Sequence, residues 1–321
     1  MTALDANAPL RLVFMGTAEF SCASLAALLA DARIQVVGVV TQPDKPKGRD
    51  MKLQPPPVKV LAEQHRLPIW QPLRAREESF IAEMRALRPD LAVVVAYGQI
   101  LPQALLDIPR HGCLNVHGSL LPQYRGAAPI QRAIANGEAE TGVAIMKMDA
   151  GMDTGPVLAM RATPIAPADD AVTLYERLAR MGAKLLLEII PGWVAGTVPA
   201  RPQPTEGVSH AAKIRKEDGR VDWTQPATVI WNRLRAFTPW PGAFTFLPSA
   251  GGPQLLKIWK VEVLPAGGAP GEILAAEKSG LVVGCGAGAI RILELQREGG
   301  RRQPAEQFLA GSPLRAGMRL G

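Results

Sequence analysis

Cysteine is scarce in this chain of 321 residues. The three cysteines (Cys22, Cys113, Cys285) share no CxxC spacing, and the four histidines (His65, His111, His117, His210) stand at no ligand spacing. Neither a disulfide framework nor a metal site is expected, and a reducing cytoplasm fits. No apolar run approaches the ~20 residues that a membrane-spanning helix needs. The start, "MTALDANAPLRLVFMG", has no basic stretch leading into an apolar one. A soluble, untargeted protein with no membrane partner is expected. A dinucleotide fingerprint is missing too. In the first strand-to-helix turn, "FMGTAEF", Gly16 stands without the second and third glycines that let a backbone approach a pyrophosphate, so it is read as serving a tight turn.

What is present is apolar and alternating. Apolar residues make up 47% of the chain, enough for a sizeable core, and the length suggests two domains. "LRLVFM" (10–15) reads as a buried strand, "EFSCASLAALLADA" (19–32) as a helix and "IQVVGVVT" (34–41) as a second strand. Helical patterns at "PVKVLAEQHRL" and "EESFIAEMRALR" precede two further apolar runs, "DLAVVVAYG" (90–98) and "HGCLNVHG". Continuous rather than alternating apolar strands imply burial on both faces. The expected fold class is α/β, a Rossmann-like, mostly parallel sheet in an N-terminal domain, with ligands beyond the carboxyl ends of its strands. "VPARPQPTEG" (198–207) has the composition of a linker. Beyond it, "LKIWKVEVLP", "GEILAA", "GLVVGCG" and "AIRILELQ" are short strand-like runs separated by glycine and proline, as in a small OB-fold-like β-barrel. The expected domains are 1–196, a linker at 197–208, and 209–321.

The net charge of +7 is unevenly spread. Residues 209–321 carry 15 Lys and Arg against 9 Asp and Glu, whereas residues 1–208 carry 21 against 20. Within the first part, the segment 41–57, "TQPDKPKGRDMKLQPPP", holds four basic residues and five prolines. It is too proline-rich for a helix and reads as a functional loop. Basicity confined to one loop and one terminal region suits a polyanionic partner, although a basic surface tuned for solubility has the same signature. Trp223, Trp231, Trp240 and Trp259 lie among basic residues, either as stacking platforms or, more simply, as core.

Two motifs carry chemistry. In "CLNVHGSLLPQYRGAAPI" (113–130), Asn115 and His117 are two apart at the end of a strand and so project from one face. In "MDAGMDTGPVL" (148–158), Asp149 and Asp153 flank glycines in a turn between two apolar runs, where a carboxylate could reach the imidazole, although such residues are usually turn formers only.

Together, "NVHGSLLPQYRGAAPIQ" and the later "GMDTGP" resemble the formyltransferase family that uses 10-formyltetrahydrofolate. The resemblance runs from "TQPDKPKGR" through "KIRKEDGRVDW" and "NRLRAFTPWPGAFT" to "LKIWK", nearly the whole chain, and points to the branch acting on initiator methionyl-tRNA. It implies Asn115, His117 and Asp153 as catalytic residues, with Asp153 preferred to Asp149. It also implies 10-formyltetrahydrofolate as co-substrate, without a metal. Folate contacts would fall on Gln99, Ile100 and Leu101, on the 148–153 loop, and on Ser119, Leu120, Leu121 and Pro122, many through the backbone. For a tRNA partner, with no DNA, the basic candidates are Lys45, Lys47, Arg49 and Lys52 in the first domain. Lys213, Arg215 and Lys216 follow the linker, with Lys257 and Lys260 on a strand. Formylation of an amino sugar or another small amine would need the same three residues without the basic loop. A non-enzymatic RNA-binding module would leave the three unexplained.

Overall fold

The computed structural model describes residues 8–47, 51–248, 252–312 and 314–321, with Lys47 described by its backbone. The chain forms two compact units. The first comprises the chain through Pro129, Thr141–Pro164 and Tyr175–Ala211, and the second Ile130–Glu140, Ile165–Leu174 and Ala212–Gly321. Residues 197–208 therefore count with the first unit.

In the first unit, Leu12 and Phe14 point to one face of the strand Leu10–Gly16 and Val13 and Met15 to the other, and all four are buried. Burial on both faces is what a helix-covered parallel sheet requires. The sheet has seven strands in the order Val157–Pro164, Glu140–Lys147, Cys113–His117, Leu91–Val95, Leu10–Gly16, Ile34–Val40, Ile69–Trp70. The last five pair in parallel. Glu140–Lys147 runs antiparallel to Cys113–His117, with His117 opposite Ala144. On one face, Phe80 and Met84 of the helix Glu78–Ala86 and Leu105 of the helix Gln103–Leu106 pack with Val13, Val94 and Cys113. Burial pushes the Cys113 thiol up to about 12, leaving it a core residue rather than a nucleophile.

The segment read as a loop at 41–57 contains a hairpin. Lys45–Lys47 pairs antiparallel with Lys52–Gln54. Pro46 is tolerated because a two-stranded ribbon leaves its outer edges unpaired. Gly48, Arg49 and Asp50 lie outside the described residues. The root of the hairpin is fixed by side chains. Asp44 accepts a hydrogen bond from Gln71 at 2.8 Å and pairs with Lys59 at 2.9 Å, which together hold its carboxyl below the usual range. Gln42 donates to the carbonyls of Tyr97 and Gly98 at 3.0 Å each, just beyond the end of the strand Leu91–Val95.

The second unit is an antiparallel sheet in the order Ala243–Leu247, Gln254–Leu264, Ala289–Arg297, Gly280–Gly284, Ile273–Glu277. No pairing closes its two ends among the described strands, an arrangement compatible with the expected OB-fold-like domain, whose barrel is partly open. Ala227, Ile230 and Leu234 repeat at helical spacing along Ala227–Phe237 and bury against Leu256, Ile258, Ile290 and Ile292. Trp223 lies in this core and donates to Thr245 Oγ1 at 3.0 Å. Trp231 packs against the core, whereas Trp240 is 59% exposed. Trp259 sits beneath Lys257 and Arg302, whose cationic groups lie 6.0 and 5.1 Å from its ring centroid.

Candidate active site

The strand Cys113–His117 alternates its side chains, so Asn115 and His117 project from one face while Leu114 and Val116 are buried on the other. The loop from 148 to 156 brings Asp153 to the same place. Asp153 Oδ1 lies 3.5 Å from Asn115 Nδ2, and Oδ2 lies 3.7 Å from His117 Nδ1. Oδ2 also accepts a 2.8 Å hydrogen bond from Gly126 N. Three separate stretches thus meet at one carboxylate.

The ring of His117 has a defined orientation. Its Nε2 is 2.9 Å from the carbonyl oxygen of Tyr124. A carbonyl can only accept, so Nε2 carries the hydrogen and Nδ1 is the nitrogen turned toward Asp153. The contacts of Asp153 with Asn115 and His117 are longer than full-strength hydrogen bonds. Both groups therefore keep capacity to donate to, or exchange a proton with, a reacting group placed beside them. Asp149 is engaged differently, accepting from Gly151 N at 3.1 Å and Thr154 Oγ1 at 2.7 Å within its own loop. It shapes the turn that Asp153 needs.

The backbone at the site is held in sparsely populated conformations. Ala96, Tyr124 and Asp153 have φ of 44°, 57° and 54°, the left-handed region, which costs roughly 1–2 kcal/mol per non-glycine residue. Tyr124 N is secured by Ser209 Oγ at 2.8 Å, and the strand His210–Ala211 pairs in parallel with Arg125–Gly126. Close packing makes two glycines obligatory. A Cβ on Gly126 would fall 2.9 Å from Ala211 O, and one on Gly155 would fall 1.8 Å from Lys147 O.

Among the residues expected to contact folate, Gln99 spends its side chain on neighbouring backbone, accepting from Ala75 N at 2.7 Å. Ile100 is exposed and Leu101 buried. Ser119 is fully buried, its hydroxyl donating to Gln123 O at 2.6 Å, and Leu121 packs with Ala144 and Met146. Leu120 and Pro122 are half-buried. A cavity of about 600 Å³ opens between the helix Gln103–Leu106 and the start of the 148–156 loop, lined by Leu106, Met148, Asp149 and Trp193 but by none of the three converging side chains. Lys45, Lys52, Lys213, Arg215 and Lys216 are exposed, and Arg49 lies outside the described residues. Among the described residues no group of three His, Cys, Asp or Glu side chains could hold a metal ion.

An amide, an oriented imidazole and a carboxylate at the end of a parallel strand have the chemistry that acyl transfer needs, with donors for a carbonyl oxygen and a carrier for one proton. Residues 10–190 match the formyl transferase family and residues 213–313 its C-terminal domain, and the chain belongs to that family. It is 51% identical over 314 residues to the methionyl-tRNA formyltransferase of Geobacter sulfurreducens, covering 98% of both chains. Among solved structures it is similar to an N-formyltransferase from Helicobacter canadensis in complex with folinic acid and dTDP-3-aminofucose. That match has a TM-score of 0.62 and 18% identity and covers 88% of this chain and 99% of that one. HypX from Aquifex aeolicus in complex with tetrahydrofolic acid matches with a TM-score of 0.60 at 19% identity, over 94% of this chain and 47% of HypX. These two likenesses concern the fold.

Sequence reading missed Tyr124, Gly126, Ser209 and Ala211. Tyr124 and Gly126 stand inside the motif that carries Asn115 and His117, but their part is played by backbone atoms, which leave no trace in side-chain chemistry. Gly155→Ala is expected to cost about 1–3 kcal/mol of stability through overpacking. By displacing Asp153 it should also lower kcat roughly 10- to 100-fold. Urea denaturation and steady-state rates measured on the same preparation check both effects.

Proposed function

We propose that this protein transfers the formyl group of 10-formyltetrahydrofolate to the α-amino group of methionine on initiator methionyl-tRNA, and that it does so in the cytoplasm to supply translation initiation. The observation that carries this reading is the convergence of Asn115, His117 and Asp153 in a chain half identical, over nearly its whole length, to a methionyl-tRNA formyltransferase. The distant likeness to an amino-sugar formyltransferase extends to the fold and does not favour that substrate. The division of labour we propose assigns catalysis to residues 1–196, a linker to 197–208 and tRNA binding to 209–321.

The folate co-substrate supplies an activated formyl carbon. The chain supplies everything that must be placed around it. As the amine attacks, negative charge develops on the formyl oxygen, and Asn115 Nδ2 can donate to it. Losing one such donor typically costs about 3 kcal/mol. The amine must lose a proton and the departing nitrogen must gain one. His117 Nδ1 would take the proton from the amine and return it to the departing nitrogen, since Nε2 is committed to Tyr124 O. Asp153 Oδ2, at 3.7 Å, stabilises the imidazolium so formed. Folate is held, in this reading, by the backbone at Gln99, Ile100 and Leu101, by the 148–153 loop, and by the wall from Ser119 to Pro122. Since Ser119 and Leu121 are buried, that wall is presented by Leu120 and Pro122.

In this reading the tRNA meets Lys213, Arg215 and Lys216 beyond the linker and Lys45, Lys47, Arg49 and Lys52 of the 41–57 segment, which contains the hairpin. Its root is pinned by Asp44 and Gln42, so several charges are presented at reduced entropic cost. The direct test compares formyl transfer to initiator methionyl-tRNA with transfer to an amino-sugar nucleotide. A clear preference for the charged tRNA supports the reading, and the opposite preference overturns it.

Two further outcomes are expected. Asn115→Ala, His117→Ala and Asp153→Ala should each lower kcat at least ~100-fold while folate affinity, measured separately by calorimetry, stays within a few-fold. Arg49→Ala should reduce kcat/KM for initiator methionyl-tRNA and narrow its advantage over the elongator form. Lys45→Ala or Lys47→Ala should weaken both tRNAs alike and flatten the salt dependence by about 0.7 to 0.9 log units for each phosphate left without its lysine. Formylation of both tRNAs across a salt series checks this, and unchanged slopes in every variant would assign tRNA recognition to the second unit.

A further inference from the structure

The segment 201–211 lies between the two family regions, 10–190 and 213–313, and overlaps the stretch 198–207 that has the composition of a linker. The structure gives one of its side chains a more specific task. We propose that Gln203 is a positioning residue for formyl transfer, clamping the loop that carries Asp153 to the turn that carries Tyr124 and Gly126.

The amide of Gln203 is fully engaged. Its Nε2 donates to the carbonyl oxygens of Asp153 and Gly155, both at 2.8 Å. Its Oε1 accepts from Arg125 Nη2 at 2.7 Å and Arg125 Nε at 3.1 Å. Two N–H groups and two lone pairs are thereby used, which exhausts what a carboxamide offers. One side chain ties together both backbone segments that meet at the Asp153 carboxylate. Only an amide can do this, since a carboxylate at this position could hold Arg125 but could not donate to the two carbonyls.

The segment is built to hold that amide still. Pro202 and Pro204 flank Gln203 and restrict the backbone. On one side, Arg201 exchanges two backbone hydrogen bonds with Val157, at 2.8 and 2.9 Å. On the other, Ser209 O accepts from Arg125 N at 2.9 Å and Ala211 O from Ala127 N at 2.9 Å. Asp153 needs such support because its backbone is left-handed, with φ of 54°, and the carbonyl that Gln203 grips is its own. Releasing that carbonyl frees the loop to relax. The carboxylate then leaves Gly126 N and with it the vicinity of His117 Nδ1.

This inference rests on the assignment of Asp153 to the reacting site, and the test separates the two. Gln203→Ala, Gln203→Glu, Asp153→Asn and the Gln203→Ala/Asp153→Asn double variant are compared with the unmodified protein, using 10-formyltetrahydrofolate and initiator methionyl-tRNA. Thermal unfolding fixes an assay temperature at which all are folded. Both Gln203 variants should lower kcat at least ~10-fold, with KM for either substrate within ~3-fold. The pH dependence of kcat in Gln203→Ala should move to that of Asp153→Asn. In the double variant, Gln203→Ala should cost less than ~2-fold beyond Asp153→Asn, since both act on one interaction. Wild-type kcat in Gln203→Glu, or effects that multiply in the double variant, would overturn the proposal while leaving Asp153 in place. Wild-type kcat in Asp153→Asn would overturn the catalytic assignment of Asp153, and the proposal with it.

Discussion

The carboxylate of Asp153 is the point on which the site depends. It accepts a hydrogen bond from Gly126 N, faces His117 Nδ1 and approaches Asn115 Nδ2, and so joins a strand end, a turn and a glycine-bounded loop. The hydrogen bond from His117 Nε2 to Tyr124 O completes the constraint, because it decides which ring nitrogen faces Asp153.

The fold serves that constraint by being rigid where it must be and strained where it acts. Parallel strands buried on both faces give Asn115 and His117 a fixed base in the strand Cys113–His117. The loop and turn that complete the site hold left-handed residues at Tyr124 and Asp153, which persist only because neighbouring hydrogen bonds over-determine them. Backbone of this kind cannot be exchanged for a smoother path without moving the side chains it presents. Gly155 and Gly126 are glycines for the same reason, since the carbonyls of Lys147 and Ala211 occupy the space of a side chain.

Much of this was legible in the sequence, and the boundary is physical. The parallel sheet showed in continuous apolar runs such as "DLAVVVAYG", and the shared face of Asn115 and His117 showed in their two-residue spacing, because both are local properties of a strand. Asp153 was singled out through the motif "GMDTGP", and its carboxylate lies near Asn115 and His117 whereas that of Asp149 bonds within its own loop. The hairpin Lys45–Lys47 with Lys52–Gln54 was hidden by prolines that ordinarily argue against strands. Ser119 read as part of a wall beside His117, and the burial of its hydroxyl on Gln123 O is a tertiary contact that the motif does not show. The second domain was legible as short strands punctuated by glycine and proline, although strand spacing reports how many strands there are and not whether the ends pair. The part played by 201–211 was illegible for a deeper reason. Its hydrogen bonds join residues about 45 to 85 positions apart, and a proline-rich polar segment looks the same whether it spans solvent or bonds to a distant loop.

The central claim is that Asn115, His117 and Asp153 act as one unit in formyl transfer. The most direct measurement is kcat for initiator methionyl-tRNA in the three single alanine variants, the three doubles and the triple. If the side chains form one device, the triple variant falls no further than about 10-fold below the weakest single, as residues acting together are grossly non-additive. A triple variant whose loss equals the product of the three single losses would mean that they work independently, and the account built on the Asp153 carboxylate would be wrong.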